Sequence, residues 1–449
     1  MAPDSCDLYV KKSTPQPSPT PAPTPPPIAF WPLPTSLSMG ATPLMVSPTL
    51  AFNIAGGNNA DLASYAARTA ALMFQHASTA PSGAALSAVS ITVANPTAPL
   101  VLGVDESYTL TIPADGSSAT ITAATNYGAY WALQTLAQAV QFNFDTEVYT
   151  VAAAPISITD KPKFAWRGIL IDTDRHWQSL PVIFSIIDGL TYSKMNILHW
   201  HIVDWQAWPL QSVAYPKLWA AAWSSRERYT LKDIDTVVEY ARARGVRVVP
   251  EFDTPGHASS MCVSYPELCP SAACGPSGNS PLSPVPDASG NNVALNAIQA
   301  VLGEIAARSP DEFFHLGGDE VDQACWANTP AVQTWMKQNG INTTDGVYEY
   351  FVDKVDKMTL ALNKSPIRWE VRLTAPTRGR ETFLHPIHTF SAAGGVEALW
   401  HGPGSAHSGP RVAVLRGAHR RHQQGLPRHL ERGRPVLLGR AERAVDNVL

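Results

Sequence analysis

RGILIDTDRHWQSLPVIFSIIDGLTYSKMNILHWHIVD, residues 167–204, places two strand-length apolar runs, GILIDTD (168–174) and NILHWHIVD (196–204), on either side of a helical stretch. The rhythm continues through VRVVPEFD (246–253), FFHLGGDE (313–320) and PIRWEV (366–371). Buried strands alternating with helices imply a parallel sheet. Acidic residues gather where each run stops, the pattern of a (β/α)8 TIM-type barrel whose site lies at the carboxyl ends of its strands. A doubly wound sheet is the alternative. No G-x-G-x-x-G or Walker A sequence follows any run, so no nucleotide cradle is expected.

Upstream, residues 30–163 read differently: strand-like SAVSITVAN and SYTLTIP, a turn at Asp115-Gly116, then SATITAAT and a helix near Tyr127 to Phe142 with Leu133, Leu136, Ala137 and Val140 on one face. A small α/β domain fits this segment. Residues 15–27 hold eight prolines in thirteen positions, so residues 1–29 are expected to form a Pro-rich arm.

The chain has 449 residues, 45% apolar and 16% charged, with a formal charge of -4. This describes a globular protein with no electrostatic reason to bind nucleic acid, and no apolar run reaches the length of a bilayer span. Cys262, Cys269 and Cys274 lie close together, with Cys325 further on and Cys6 alone near the start; the spacing favours a disulfide-stapled loop over zinc. Asn342-Thr343-Thr344 and Asn363-Lys364-Ser365 are glycosylation sequons, the second weakened by Pro366. A secreted or vacuolar/lysosomal protein is expected, although the first thirty residues lack the regions of a signal peptide.

The strand ends would deliver Asp172, Asp174, Asp204, Glu251, Asp253, His257, Asp319, Glu320, Trp369 and Glu370 into one bowl. Crowded carboxylates in a partly dry cleft repel one another and hold at least one proton near neutral pH, as a general acid that cleaves an acetal requires. Trp177, Trp200, Trp205, Trp208 and Trp369 could stack on sugar faces, though each is more commonly packing. Asp319 and Glu320 are adjacent, so on a regular strand they would point to opposite sides. They can serve one pocket only if Gly317 and Gly318 take the chain out of strand geometry. His257, beyond a buried strand, has Asp204 and Asp253 as candidate partners and a supporting role. His199 and His201 share a strand face; packing and hydrogen bonding are favoured over a metal, since spacing supplies no third ligand.

RGILIDTDRHW, MNILHWHIVDWQAWPLQS, VVPEFDTPGHASSM and FHLGGDEVDQACW, in this order and spacing, resemble the β-N-acetylhexosaminidases of glycoside hydrolase family 20, from about Trp31 to about Val371. The resemblance implies an exo-acting retaining enzyme that removes terminal β-linked N-acetylglucosamine or N-acetylgalactosamine, with an oligosaccharide or glycoconjugate substrate and no metal or organic cofactor. No nucleic-acid or membrane partner is expected; relatives are often dimers, so a homodimer is the assembly to test. By the resemblance the substrate's own acetamido oxygen attacks the anomeric carbon. Glu320 corresponds to the general acid, Asp319 to the residue that orients the acetamido N–H, and Arg167 to an arginine that binds sugar hydroxyls. Asp204, Asp253 and His257 correspond to a polar network beside the acid, and Trp369 to a wall around the acetamido methyl. Cys274 and Cys325 match a family disulfide, which leaves Cys262 and Cys269 for a second. Many relatives carry Asp where this chain has Trp205. The alternatives are a chain without catalytic competence and a retaining glycosidase with a carboxylate nucleophile.

The likeness stops near residue 371. Five strands use residues 168–371, and residues 372–449 are too few for three more βα units of roughly 30 residues, so the barrel is expected to be incomplete at its C-terminal end. This stretch holds twelve Arg, no Lys, seven His and five acidic residues, no Tyr and only Trp400, with Arg440-Ala441-Glu442 where the family carries Trp-x-Glu. Such composition is expected of sequence translated out of frame, which transcript reads across those codons would decide.

Overall fold

The computed structural model describes residues 29–56, 59–79, 83–271, 274, 280–369 and 383–384. The expectations for Cys6, Glu370, most of the Pro-rich arm and nearly all of the stretch after 371 lie outside these residues.

The first sheet contains β1 (Ser36–Ile54), β2 (Ala85–Asn95), β3 (Tyr108–Ile112), β4 (Ala119–Thr125), β5 (Gln141–Asn143) and β6 (Val148–Asp160), in the order β1-β2-β4-β3-β6-β5. β1 is long enough to pair antiparallel with β6 through its first part and parallel with β2 through its second. β3 and β4 alternate buried and exposed residues, as a sheet with one covered face requires. The covering helix, Asn126–Ala139, buries nearly its whole circumference, including Trp131 and Leu133. β1 and β6 escape sequence reading because prolines, Gly40 and an alanine run dilute their strand signal.

The second sheet is parallel: β7 (Gly168–Asp172), β8 (Ile197–Val203), β9 (Arg247–Phe252), β10 (Phe313–His315), β11 (Ser365–Arg368) and β12 (Phe383–Leu384), each paired with the next in chain order. The strand period of two sorts their residues into layers. Ile197, Val249, Phe313 and Ile367 form an apolar floor with Trp166 and Leu102. Two residues further along come His199, Glu251, His315 and Trp369, joined through Glu251 by hydrogen bonds from His199 and Trp369 and by a 3.0 Å contact with His315. Two further still come His201, Asp253 and Gly317, where the strands give way to loops. Flanking helices such as Leu180–Tyr192, Leu231–Arg242, Val293–Ala306 and Thr344–Ala361 bury their apolar stripes against this sheet. β7 is less covered, with Ile169 and Leu170 38% and 42% exposed.

Polar contacts join the first domain to the barrel portion, between the sheet and the turn before β8 and between the helices Ala60–Met73 and Leu231–Arg242. Lys194 Nζ lies 2.8 Å from the Tyr108 hydroxyl and 3.2 Å from Asp160, and Arg242 pairs with Asp61 at 2.8 Å. Disulfides join Cys262 to Cys269 and Cys274 to Cys325. Among the described residues no helix is long and apolar enough to cross a membrane.

Candidate active site

The site is built at the carboxyl ends of β7 to β11, and its centre is the buried carboxylate of Asp204. That group receives His201 Nε2 at 2.8 Å, His257 Nδ1 at 3.0 Å, Arg175 at 2.7 Å and the Trp205 amide at 2.5 Å. Burial alone would raise its pKa, but the hydrogen bonds from His201 and His257 outweigh it and hold Asp204 below the ordinary carboxylate range. His201 reaches a second carboxylate, Glu251, through Nδ1 at 2.9 Å. Burial opposes its charge, but the two acids prevail and keep the ring an imidazolium well above pH 6.5. Glu251 also accepts from His199 Nε2 at 2.7 Å and from Trp369 Nε1 at 2.8 Å, and its Oε1 lies 3.0 Å from His315 Nδ1, which takes the Gly317 amide N–H at 3.2 Å. Against the effect of burial, the three imidazoles hold its carboxyl well below the usual range.

The next turn of the chain carries the expected acid pair. β10 ends at His315, and Gly317, Gly318 and Glu320 then take φ values of 58°, 106° and 49°. These left-handed conformations are cheap for glycine and costly for glutamate, and they remove the alternation that would send Asp319 and Glu320 to opposite faces. The two glycines also allow close approach: a Cβ on Gly317 would lie 1.8 Å from the Asp253 carboxyl carbon. The Gly318 amide donates to Asp253 at 2.7 Å while its carbonyl accepts from the Tyr348 hydroxyl at 2.7 Å. The fold thus pins this turn from both sides.

Asp253, Asp319 and His257 converge beside it. Burial, reinforced by the charges of Glu251 and Asp319 against the pull of His257, raises Asp253 well above the carboxylate range. Burial likewise raises Asp319, whose Oδ1 has no hydrogen-bond partner. His257 is 5% exposed; burial disfavours its charge, but the bond to Asp204 and the charges of Asp253, Asp204 and Asp319 raise it to about 9. Its Nε2 stands 3.5 Å from Glu320 Oε2, and the Glu320 side chain is 70% exposed. Glu320 therefore sits at the mouth with an imidazolium behind it. The carboxyls that burial raises above the ordinary carboxylate range are Asp174, Asp253 and Asp319. Asp174, with no exposed surface and no partner for either oxygen, is raised to about 8 by burial and then by the charges of Asp204 and Asp172.

The structure brings together Asp204, Asp253, His257, Asp319 and Glu320. Trp369 lies one layer deeper, stacked on His199 at 5.2 Å and donating its indole N–H to Glu251. Arg167 is elsewhere. It precedes β7, so it lies at the amino end of the strand, where its guanidinium bonds Glu106 at 2.8 and 3.0 Å and the Phe164 carbonyl at 2.7 Å. The guanidinium that reaches the bowl belongs to Arg175, which bonds Asp172 at 2.8 Å and Asp204 at 2.7 Å and keeps 31% of its side chain exposed. The signal was present in the sequence: Arg175 follows the carboxyl end of GILIDTD, whereas Arg167 precedes its amino end, and only the former end faces a barrel site.

Metal-capable groupings are present. One atom from each of His199, Glu251 and His315, and likewise from Asp253, His257 and Asp319, lies within 4.8 Å of the others. In the first set the third ligand absent from the HWH spacing comes from neighbouring strands, but the Glu251 carboxylate already accepts N–H groups from His199, His201 and Trp369.

Comparison with known families matches residues 164–393 to the catalytic domain of glycosyl hydrolase family 20 and residues 30–139 to a domain described as beta-acetyl hexosaminidase like. Beta-hexosaminidase 1 of Arabidopsis thaliana is 38% identical over 378 residues, 80% of this chain and 66% of the relative. Beta-hexosaminidase subunit A1 of Dictyostelium discoideum is 37% identical over 63% of this chain and 51% of its own. The chain thus spans between half and two thirds of the length of these relatives. Among solved structures, a chitobiase of Flavobacterium johnsoniae superposes with a TM-score of 0.67 at 27% identity, covering 78% of this chain and 53% of that one.

Proposed function

This chain belongs to glycosyl hydrolase family 20, and from that premise we propose that it is an exo-acting retaining β-N-acetylhexosaminidase, cleaving terminal β-linked N-acetylglucosamine or N-acetylgalactosamine from oligosaccharides or glycoconjugates. The observation that carries the reading is the left-handed turn at Gly317, Gly318 and Glu320, which brings both Asp319 and Glu320 beside His257. The catalytic portion begins at residue 164 and follows the α/β domain of residues 30–163.

In the reaction the acetamido oxygen attacks the anomeric carbon as the bond to the leaving oxygen breaks, and Glu320 transfers its proton to that oxygen. The free Oδ1 of Asp319 accepts the acetamido N–H and stabilises the positive charge of the oxazolinium ring. Glu320, now a carboxylate, removes a proton from the water that reopens the ring, so the anomeric configuration is retained. His257, held by Asp204, is a positioning residue behind Glu320. Asp253 supports the turn through the Gly318 amide. Arg175, not Arg167, supplies the donors for sugar hydroxyls, and Trp369 closes the inner wall.

Two disulfides and the exposed Asn342 and Asn363 support an oxidising compartment, secreted or vacuolar/lysosomal. Relatives named as subunits support a dimer. A chain without catalytic competence is the second reading, favoured by the exposure of Ile169 and Leu170 on β7. Release of chromophore from an aryl β-N-acetylglucosaminide decides between them: a monodisperse protein that turns over in the wild type, and fails with Glu320→Gln, eliminates the second. Inhibition by a thiazoline mimic of the cyclised acetamido group separates this mechanism from one with an enzyme nucleophile.

A further inference from the structure

We propose that Asp253, His257 and Asp319 form a binding site for a borderline-soft divalent cation such as Zn²⁺, and that the ion shuts the sugar pocket reversibly. One ligand-capable atom from each lies within 4.8 Å of the others. A tetrahedral zinc site with bonds of roughly 2.0–2.2 Å needs ligand atoms about 3.5 Å apart, so rotamer adjustments of under about 1 Å complete the set.

Independent observations point the same way. His257 is 95% hidden from solvent, yet its Nε2 makes no hydrogen bond and has only the exposed Glu320 carboxylate near it, at 3.5 Å; the Asp319 Oδ1 has no hydrogen-bond partner either. The opposite nitrogen of His257 is held by the Asp204 carboxylate at 3.0 Å, the second carboxylate that fixes tautomer and ring orientation in metal-bound histidines. Asp253 is fixed by the Gly318 amide at 2.7 Å. Two carboxylate oxygens and one imidazole nitrogen are all donors that zinc accepts, and the fourth position is open toward Glu320. Mg²⁺, which demands octahedral oxygen donors, does not suit it.

Binding displaces the Nε2 proton of His257 and the proton held between Asp253 and Asp319. Both go to solvent, and no electron moves. The bound ion then occupies the position from which Asp319 would receive the acetamido N–H. This last consequence rests on the hydrolase reading; the metal site itself does not.

The test uses the full chain, freed of metal by chelation. Titration with ZnCl₂ by calorimetry is expected to give one saturable equivalent, MgCl₂ none, and Co²⁺ a visible d–d band that zinc abolishes. Zinc is expected to raise the KM for an aryl β-N-acetylglucosaminide without changing kcat, with EDTA restoring activity. Asp319→Asn and His257→Gln are each expected to weaken zinc binding more than tenfold; two substitutions are used so that loss of folding in one leaves the other to decide. No saturable zinc binding to folded wild type, or affinity unchanged in both variants, overturns the site. Zinc binding by a chain that hydrolyses nothing supports the site and refutes the activity.

Discussion

Asp174 carries the most demanding physical prediction. Its carboxyl has no exposed surface, neither oxygen has a hydrogen-bond partner, and its pKa is raised to about 8, first by burial and then by Asp204 and Asp172. The folded state therefore holds a proton that the unfolded chain, titrating near 3.8, gives up. Between about pH 4 and pH 8 folding takes up that proton, so stability falls as pH rises through this window. At pH 7 the cost is ~4 kcal/mol, since each unit of difference corresponds to ~1.4 kcal/mol. Asp174→Asn keeps the shape and the neutral charge of the folded side chain and removes the proton cost, while the amide inherits the same lack of partners. The variant should gain ~4 kcal/mol at pH 7 and well under ~1 kcal/mol at pH 4, and a melting temperature higher by about 5 °C at pH 7 for a chain of this size. Urea denaturation of both proteins at pH 4, 5, 6 and 7 reads the difference directly. A gain that does not grow with pH, or a loss at pH 7, would refute the account of Asp174 as a buried neutral acid.

Other outcomes follow from the same geometry. Glu320→Gln, which removes the transferable proton at the pocket mouth, should lower kcat by ~10²–10⁴ with thermal stability unchanged, measured on an aryl substrate. Arg175 and Arg167 should separate cleanly. Arg175→Lys loses the planar fork and should raise KM at least tenfold, whereas Arg167→Ala takes the ion-pair partner from the buried Glu106, leaving only the Trp131 and Asn196 N–H groups, and should cost ~3 kcal/mol in urea unfolding with KM unaltered. Gly317→Ala places a methyl inside the Asp253 carboxyl on a left-handed backbone; circular dichroism and activity together should show a destabilised, inactive protein, and an active one would mean the turn is not needed.

Much of this was legible in the chain because burial writes itself into sequence. Five apolar runs from GILIDTD to PIRWEV each became a strand of the parallel sheet, shortened at the carboxyl end where loops carry the polar groups. The pair Gly317-Gly318 announced a break in strand alternation, and the left-handed angles there are its cause. What sequence did not convey was direction and depth. Arg167 and Arg175 flank one strand, and the two ends of that strand face different solvents, one the floor and the other the pocket. His315 reads in the sequence as part of an apolar run, yet it meets Glu251 because strands adjacent in space are 64 residues apart in the chain. The neutral carboxyl of Asp174 depends on three-dimensional crowding by Asp172 and Asp204, which no spacing rule encodes.

Glu251 has a consequence for how such a pocket could be retuned. One carboxylate takes N–H groups from His199, His201 and Trp369 and stands 3.0 Å from His315 Nδ1, which leaves little of its roughly four lone-pair directions free. Altering any of these neighbours leaves a buried charge that the rest are poorly placed to absorb. Change in specificity therefore has to enter through the rim, in loops such as the one bearing Trp223, whose half-exposed ring is tethered by a single bond to the Asp174 carbonyl. The basement of the barrel is frozen, and only its balcony is open to renovation.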